Sequence, residues 1–282
     1  MSVFEQIALG WGCVGAAVRR MFQPALWTPW LLLGAAHLVL LLMIAGFAHP
    51  AVSAVMAPLV TAFAGAQVRH YPEVFRHLPE LQTQAALIVD ALLGPLAAGA
   101  AVALLAAAFE RGRATPGDAI AHALDRAGAL IVALLPYTVI VFAITFGLQG
   151  WLVERGSAGL TRKLAQLAGA GGIVLLRVLF LYVVPLVVLG RQRPVEAWRE
   201  LPRLLERGSV TAFTIVVLVS LVTAPFGVLT RFAPRLVDGG TPEAVVGLVA
   251  VQIAGGLIAA FLLAGASVLA WQSVEIDVES GW

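Results

Sequence analysis

The chain has few charged residues and a single cysteine, and these shortages exclude several classes of protein. Only 12% of its 282 residues are charged, whereas soluble domains have about 25%. The hydrophobic fraction is 60%, and the charges avoid the long apolar runs. Because Cys13 is the only cysteine, no disulfide can form within the chain. We therefore expect a membrane protein whose fold does not depend on disulfides.

Basic charge and catalytic motifs are scarce as well. The formal net charge is only +2, and Lys163 is the one lysine among 18 basic residues, so no nucleic-acid partner is indicated. The sequence contains no G-x-S-x-G, H-E-x-x-H, P-loop or dinucleotide fingerprint. These absences favour a protein that is not an enzyme and carries no cofactor.

The first 24 residues do not have the pattern of a cleavable signal. Glu5 comes early, and Arg19 and Arg20 follow the apolar residues instead of preceding them. The apolar residues recur at steps of three and four, which places them on one face of a helix: Phe4, Ile7, Trp11, Val14, Val18 and Met21. Residues 1–24 are therefore expected to form an amphipathic helix in the cytoplasmic interface. The alternative is an extension packed against the bundle.

Residues 25–282 are expected to form the transmembrane domain, an all-α bundle of six spans. Six apolar runs reach the length of about 20 residues that a bilayer crossing requires. They are about Trp27–Ala48, Ala85–Ala108, Gly128–Leu148, Ala168–Gly190, Val210–Leu229 and Ala244–Trp271. The segment 51–68 is apolar but short and holds Pro58. We interpret it as an external helix on or in the membrane interface, with a seventh span as the alternative.

Basic residues in the loops predict that both termini are cytoplasmic. With the N-terminus inside, the inner loops hold ten of them and the outer loops seven, which follows the positive-inside rule weakly. The inner ten are Arg19, Arg20, Arg111, Arg113, Arg126, Arg191, Arg193, Arg199, Arg203 and Arg207. The outer seven are Arg69, Arg76, Arg155, Arg162, Lys163, Arg231 and Arg235. The expected location is the bacterial inner membrane.

The two longer inner loops resemble each other, which suggests repeated helical hairpins. Residues 113–120 (RATPGDAI) align with 191–198 (RQRPVEAW) at an offset of 78. In each copy a proline suits the first helical position, and an acid in the first turn faces the positive end of the helix dipole. Any interfacial helix could begin in this way, so duplication and coincidence both remain open. The four spans of these hairpins each hold one proline: Pro95, Pro136, Pro185 and Pro225.

Charged and polar residues inside the apolar runs are the main candidates for a site. Arg177 lies near the middle of the fourth span, where a charge costs roughly 2.5–3.5 kcal/mol. Asp90 in the second span lies within about 6 Å of it in depth by helix rise. Asp90 and Arg177 are therefore a candidate ion pair, and Gln252 and His37 lie at similar depths. These four could line an outward-facing pocket for an anionic lipid head group or small anion, or the pair could merely fix helix packing.

A weaker metal pattern precedes the second span. His70, Glu73, His77 and Glu80 follow steps of three, four and three, which would place them on one helical face. Their side chains are of the types that bind zinc. However, Pro72 and Pro79 interrupt the segment, and we interpret it as a solvated face with no metal.

The segment from Leu181 to Arg199, LYVVPLVVLGRQRPVEAWR, resembles an element of six-span bacterial membrane proteins. In these families an apolar span with a proline leads into a short loop, and the next helix opens with proline, an acid and alanine. They include the YciC-like proteins and the membrane domain attached to some glycerophosphodiester phosphodiesterases. This chain departs from their pattern at Leu201-Pro202. The resemblance implies a six-helix integral membrane domain with a non-catalytic role.

Two functions remain open. The leading hypothesis is an envelope or scaffold protein, or the membrane subunit of a complex with other membrane proteins. The alternative is a transporter or lipid-handling protein with a pocket around Arg177 and Asp90.

Overall fold

The computed structural model describes residues 1–46, 49–65, 68, 71–112, 115–147 and 159–279, and this part of the chain is helical with no strand. Twelve α-helices occur in it. The first six are α1 (Val3–Arg20), α2 (Thr28–Ala45), α3 (Pro50–Ala64), α4 (Glu73–Leu92), α5 (Gly94–Arg111) and α6 (Pro116–Asp125). The others are α7 (Ala127–Phe142), α8 (Leu160–Phe180), α9 (Val183–Val188), α10 (Pro194–Leu229), α11 (Ala233–Asp238) and α12 (Ala244–Glu279). The expected all-α architecture is confirmed.

Five helical segments of the described chain are long and apolar enough to cross a membrane. They are Pro24–Ala45, Ala127–Gly147, Leu167–Val188, Pro194–Asp238 and Ala244–Glu275. Each contains or overlaps one of the predicted spans. The remaining predicted span, Ala85–Ala108, is a bent pair, since α4 and α5 meet at an angle of 61°. The bend is at Leu93, immediately before Gly94 and Pro95 begin α5. The count is therefore five spans in the described chain, or six with the bent pair.

The surfaces of these helices support a lipid environment. Only 17% of the apolar window in Ala127–Gly147 is buried by the rest of the chain. Large apolar side chains on the spans are exposed, including Leu31, Leu42, Leu135, Val139 and Leu175. Soluble monomers rarely expose apolar patches of this extent. The chain is therefore a membrane protein with several membrane-spanning helices.

Helix α3 covers most of the segment 51–68 whose placement was ambiguous. It has 15 residues, a length of about 22 Å at 1.5 Å per residue. This is shorter than the hydrocarbon core, which is about 30 Å thick. Val60 and Met56 of α3 are buried in a core with Val74 and Leu78 of α4. The helix length favours an external helix over a seventh span.

The chain divides into two compact units. The first unit comprises Met1–Pro29, Ala91–Ser220 and Ala260–Trp282. The second unit comprises Trp30–Asp90 and Leu221–Ala259. The sequence had suggested residues 1–24 and 25–282 instead, a division that separates α1 from the rest and stays a prediction.

Small residues set the helix packing of the first unit. Gly99 of α5 lies so close to α7 that a Cβ atom on it would be 2.5 Å from Leu130 Cδ1. Gly265 of α12 is similarly close to α1, because a Cβ atom on it would be 2.9 Å from the Cβ atom of Ala17. Helix backbones approach closely where small residues meet. The buried face of α1 is also tied to α10, because the hydroxyl of Thr211 donates to the carbonyl of Gln6 over 3.1 Å.

Helix α10 is bent at Gly208, two residues before the predicted span Val210–Leu229 begins. Gly208 has φ −122° and ψ 16°, outside the helical region. The hydroxyl of the buried Tyr182 donates to the carbonyl oxygen of Gly208 over 3.1 Å. A side chain inserted at a helix break is a common cause of a kink. The predicted span Val210–Leu229 is therefore separated by the bend from the first part of α10.

The two repeated loops each begin a helix at the predicted proline. Helix α6 begins at Pro116 and α10 begins at Pro194. The first-turn acid behaves differently in the two copies. Glu196 accepts from the backbone N–H of Arg193 over 2.8 Å, whereas Asp118 accepts from the hydroxyl of Thr115. The helix starts are confirmed, and duplication of the hairpins stays a prediction.

Candidate functional site: a polar cluster inside apolar helices

The second unit contains a polar cluster built around His37 of α2. The Oδ1 atom of Asp90 in α4 lies 3.0 Å from Nε2 of His37. His37 Nε2 is buried and has no hydrogen bond of good geometry in the described chain. The contact therefore has the distance of an ion pair without the alignment of a hydrogen bond. It is strongest when the imidazole is protonated and the carboxylate is ionised.

Gln82 of α4 belongs to the same cluster. Its Nε2 atom donates to the backbone carbonyl of His37 over 3.3 Å. The side chain is only 3% exposed, and its amide oxygen has no hydrogen-bond partner among the described residues. The His37 side chain and carbonyl therefore contact two positions of α4, about two turns apart, which orients the ring and fixes the register of the two helices.

Gln252 of α12 lies level with His37. Gly34 of α2 faces Leu257 of α12, so closely that a Cβ on the glycine would be 2.6 Å from Leu257 Cδ1. Leu41 shares a core with Val249, so the two helices run antiparallel. His37 lies three residues after Gly34, which is about 4.5 Å along the axis of α2. Gln252 lies five residues before Leu257, which is about 7.5 Å in the same direction because the two helices are antiparallel. The amide oxygen of Gln252 is also buried without a hydrogen-bond partner in the described chain.

The cluster is rich in acceptors and open on one side. The His37 side chain is 13% exposed, whereas that of Asp90 is 47% exposed. One carboxylate and two free amide oxygens thus lie within helices whose surroundings are apolar. A buried acceptor without a donor costs about 1–3 kcal/mol. An ionisable side chain such as Asp90 inside a membrane span is a candidate for a functional residue.

Arg177 lies in the first unit and is placed near a helix end. It occupies the last turn of α8, and the span continues as α9 after a break at Leu181 and Tyr182. Carbonyl groups at a helix C-terminus carry partial negative charge, which stabilises a cation in the last turn. No acidic side chain of the first unit, within its described part, forms an ion pair with Arg177. Asp90 belongs to the other unit, so the predicted pair stays a prediction.

The residues of the weak metal pattern that the structure describes form separate pairwise contacts. Glu73 contacts Arg76, with Oε2 and Nε 3.2 Å apart, and His77 Nδ1 lies 3.6 Å from Glu80 Oε2. His70 lies outside the described residues. In the described chain, no three His, Cys, Asp or Glu side chains are grouped to hold a metal ion.

The sequence indicated His37, Asp90 and Gln252 but missed Gln82. Gln82 precedes the apolar run that begins at Ala85, so a hydropathy boundary excluded it from the span. Its spacing from Asp90 was a usable indication, because residues eight apart share a helical face. The structure brings His37, Gln82 and Asp90 into contact and places Gln252 at the same level.

Comparison with protein-family models, curated proteins and solved structures finds no match to the chain. The resemblance to the YciC-like and glycerophosphodiester phosphodiesterase membrane domains therefore stays a prediction. The site has to be interpreted from its own geometry.

Proposed function

We propose that the protein is a membrane transport protein in which Asp90 and His37 form a proton-binding pair within the membrane. The observation that carries this proposal is the 3.0 Å contact between the two titratable groups inside apolar helices. Carboxylate and imidazole groups in membrane spans occur mainly along proton and ion pathways. Localisation in the bacterial inner membrane and the absence of enzymatic activity belong to the same proposal.

The bend between α4 and α5 supports a transport function. Asp90 lies three residues before Leu93, where the 61° bend occurs. Transporters commonly place their sites at discontinuous helices, whose free ends supply polar groups in the membrane. The bent pair therefore carries its ionisable residue in the last turn before the bend.

The proposed site differs from the pocket expected from the sequence. That pocket combined Asp90 with Arg177 and was suited to an anion. The cluster in the second unit consists of a carboxylate, an imidazole and two free amide oxygens, which are acceptors. Acceptors bind protons, cations or hydrogen-bond donors, so the proposed ligand is a proton, alone or together with a donor-bearing solute.

Transient currents after pH jumps on supported proteoliposomes test this proposal. A proton that enters a site within the membrane displaces charge, and no transported solute has to be known. We expect the wild-type protein to give a displacement current, and Asp90→Asn to remove it. His37→Gln is expected to lower the amplitude of the current, because the variant lacks one of the two titratable groups of the pair.

The matched control is Glu80→Gln, since Glu80 lies on the same helix outside the cluster and its side chain is 69% exposed. This variant should keep the wild-type current. The proposal is wrong if the wild-type protein displaces no charge, or if the current persists in Asp90→Asn.

A scaffold or subunit function is the second candidate, and one observation favours it. Large apolar side chains are exposed on the spans, among them Leu31, Leu42 and Leu135, and helices of another membrane protein would pack against them. Cross-linking in native membranes distinguishes the two functions. A specific partner that is lost in Leu135→Gln supports the scaffold.

A further inference from the structure

The first unit contains a pocket that the proton-binding site does not use. Its volume is about 840 Å³, within the range of about 300–1,000 Å³ that is typical of small-molecule sites. Its walls are formed by α5, the turn at residues 24–27 and α6. Every lining residue in the described part of the chain belongs to the first unit.

One part of the pocket is apolar because α5 carries small side chains there. Ala103, Ala106 and Ala107 line it together with Leu26 and Leu104. Alanine leaves space where a larger residue would fill the gap between the helices. This wall is long enough and apolar enough to take part of a hydrocarbon chain.

The other part of the pocket is polar and acidic. Glu110 and Asp118 line it, at the end of α5 and in the first turn of α6. Glu110 accepts from Nε2 of Gln272 over 3.0 Å, and Asp118 accepts from the hydroxyl of Thr115. Both carboxylates thus have neutral donors. Neither forms an ion pair with Arg or Lys among the side chains that the structure describes.

His122 adds a hydrogen-bonding group to this rim. Its Nε2 atom lies 3.3 Å from the carbonyl oxygen of Val188. A carbonyl oxygen only accepts, so Nε2 carries the hydrogen and donates to it. The neighbouring hydroxyl of Thr115 and amide of Gln23 complete a polar rim on an apolar pocket.

We infer that this pocket binds a membrane lipid whose head group carries an ammonium ion. The hydrocarbon chain lies along the alanine wall, and the ammonium ion lies between the carboxylates of Glu110 and Asp118. A phospholipid with an ethanolamine head group has this chemistry. Glycerol head groups offer no positive charge to the two carboxylates.

Native mass spectrometry on delipidated protein tests the inference. The protein is incubated with equal amounts of phosphatidylethanolamine and phosphatidylglycerol with identical acyl chains, and the retained lipids are counted. We expect the wild-type protein to retain phosphatidylethanolamine over phosphatidylglycerol by about threefold or more, the range of a partly exposed charge pair.

Two sets of variants separate the head group from the chain. The double variant Glu110→Gln with Asp118→Asn should bring the ratio of the two lipids to about one, because both charges that attract the ammonium ion are removed. Ala107→Leu should lower the retention of both lipids by filling the alanine wall. Ala98→Leu is the matched control, since Ala98 lies on α5 outside the pocket and is partly exposed.

Equal retention of the two lipids by the wild-type protein would overturn the inference. A preference that survives in the double variant would do the same. Thermal unfolding of each variant in the same detergent shows whether it is folded. A loss of lipid retention in an unfolded variant is not counted. In that case the double variant and the Ala98→Leu control decide the outcome.

Discussion

Tyr182 is a buried side chain whose hydroxyl group holds the bend in α10. It donates to Gly208 O over 3.1 Å, and a Cβ atom on Gly208 would be only 2.7 Å from the hydroxyl oxygen. Tyr182→Phe should therefore destabilise the protein by about 0.5–1.5 kcal/mol through loss of the hydrogen bond. Gly208→Ala should destabilise it through the close contact.

The double variant tests whether these two effects share one cause. Removing the hydroxyl oxygen relieves the contact, so the combined loss should be smaller than the sum of the two single losses. Reversible unfolding in mixed micelles gives the three free energies. Strict additivity would contradict the role assigned to the Tyr182 hydroxyl.

Tyr71 gives a second prediction for a single residue, and this one depends on pH. Its hydroxyl donates to Glu243 Oε1 over 3.0 Å, and this hydrogen bond raises the pKa of Tyr71 above its usual value of 10. The hydrogen bond needs neutral tyrosine. The contribution of this hydrogen bond to the free energy of unfolding is present below the pKa of tyrosine in the unfolded chain, about 10. It is lost as the pH rises through the higher pKa of Tyr71 in the folded protein.

Tyrosinate absorbance measures this effect, since the chain has only three tyrosines. Glu243→Ala should lower the pKa of Tyr71 toward 10, and Tyr71→Phe identifies its part of the titration curve. An unchanged curve in Glu243→Ala would show that the carboxylate does not control the phenol.

Helix α1 illustrates how an element can have two apolar faces. Gly10, Cys13, Val14 and Ala17 are buried, and burial raises the pKa of the Cys13 thiol to about 11. Phe4 and Trp11 are 84% and 60% exposed. The expected interfacial helix and its alternative, packing against the bundle, thus describe opposite faces of one helix.

Spin labels can locate the exposed face of α1, since Cys13 is the only native thiol. In a Cys13→Ala background, labels at Phe4→Cys and Trp11→Cys should collide mainly with oxygen dissolved in lipid. A label at Gly12→Cys provides the comparison, because Gly12 is exposed beside Trp11 and a side chain there meets no neighbour. Equal collision with a water-soluble relaxant at all three positions would place the helix away from the bilayer.

Hydropathy predicted the spans well because length and apolarity are summed over about 20 residues. Helix breaks depend instead on a few local contacts. The bend at Leu93 and the break at Leu181 follow from proline and from tertiary packing, so a window average does not detect them. The same averaging excluded Gln82 from the site, and the pocket beside α5 arises from spaces between helices that no linear pattern encodes.

At the scale of the whole molecule, six crossings would place both termini on the same side of the membrane. The basic residues of the loops predict that side to be the cytoplasm. Reporter fusions at residues 1 and 282 should therefore both be active only in the cytoplasmic form. A fusion after α3 should be active only outside. Termini on opposite sides would mean that the bent pair does not cross the membrane as one span, or that α3 crosses it.

The contact between His37 and Asp90 also has an electrical consequence. A proton that binds to this pair changes the charge at a point inside the membrane's electric field, where a full crossing is worth about 2.3 kcal/mol per elementary charge at 100 mV. If the pair binds a proton as proposed, its occupancy would depend on membrane voltage as well as on pH. A cell that energises its membrane would then change the protonation of the pair even at constant pH.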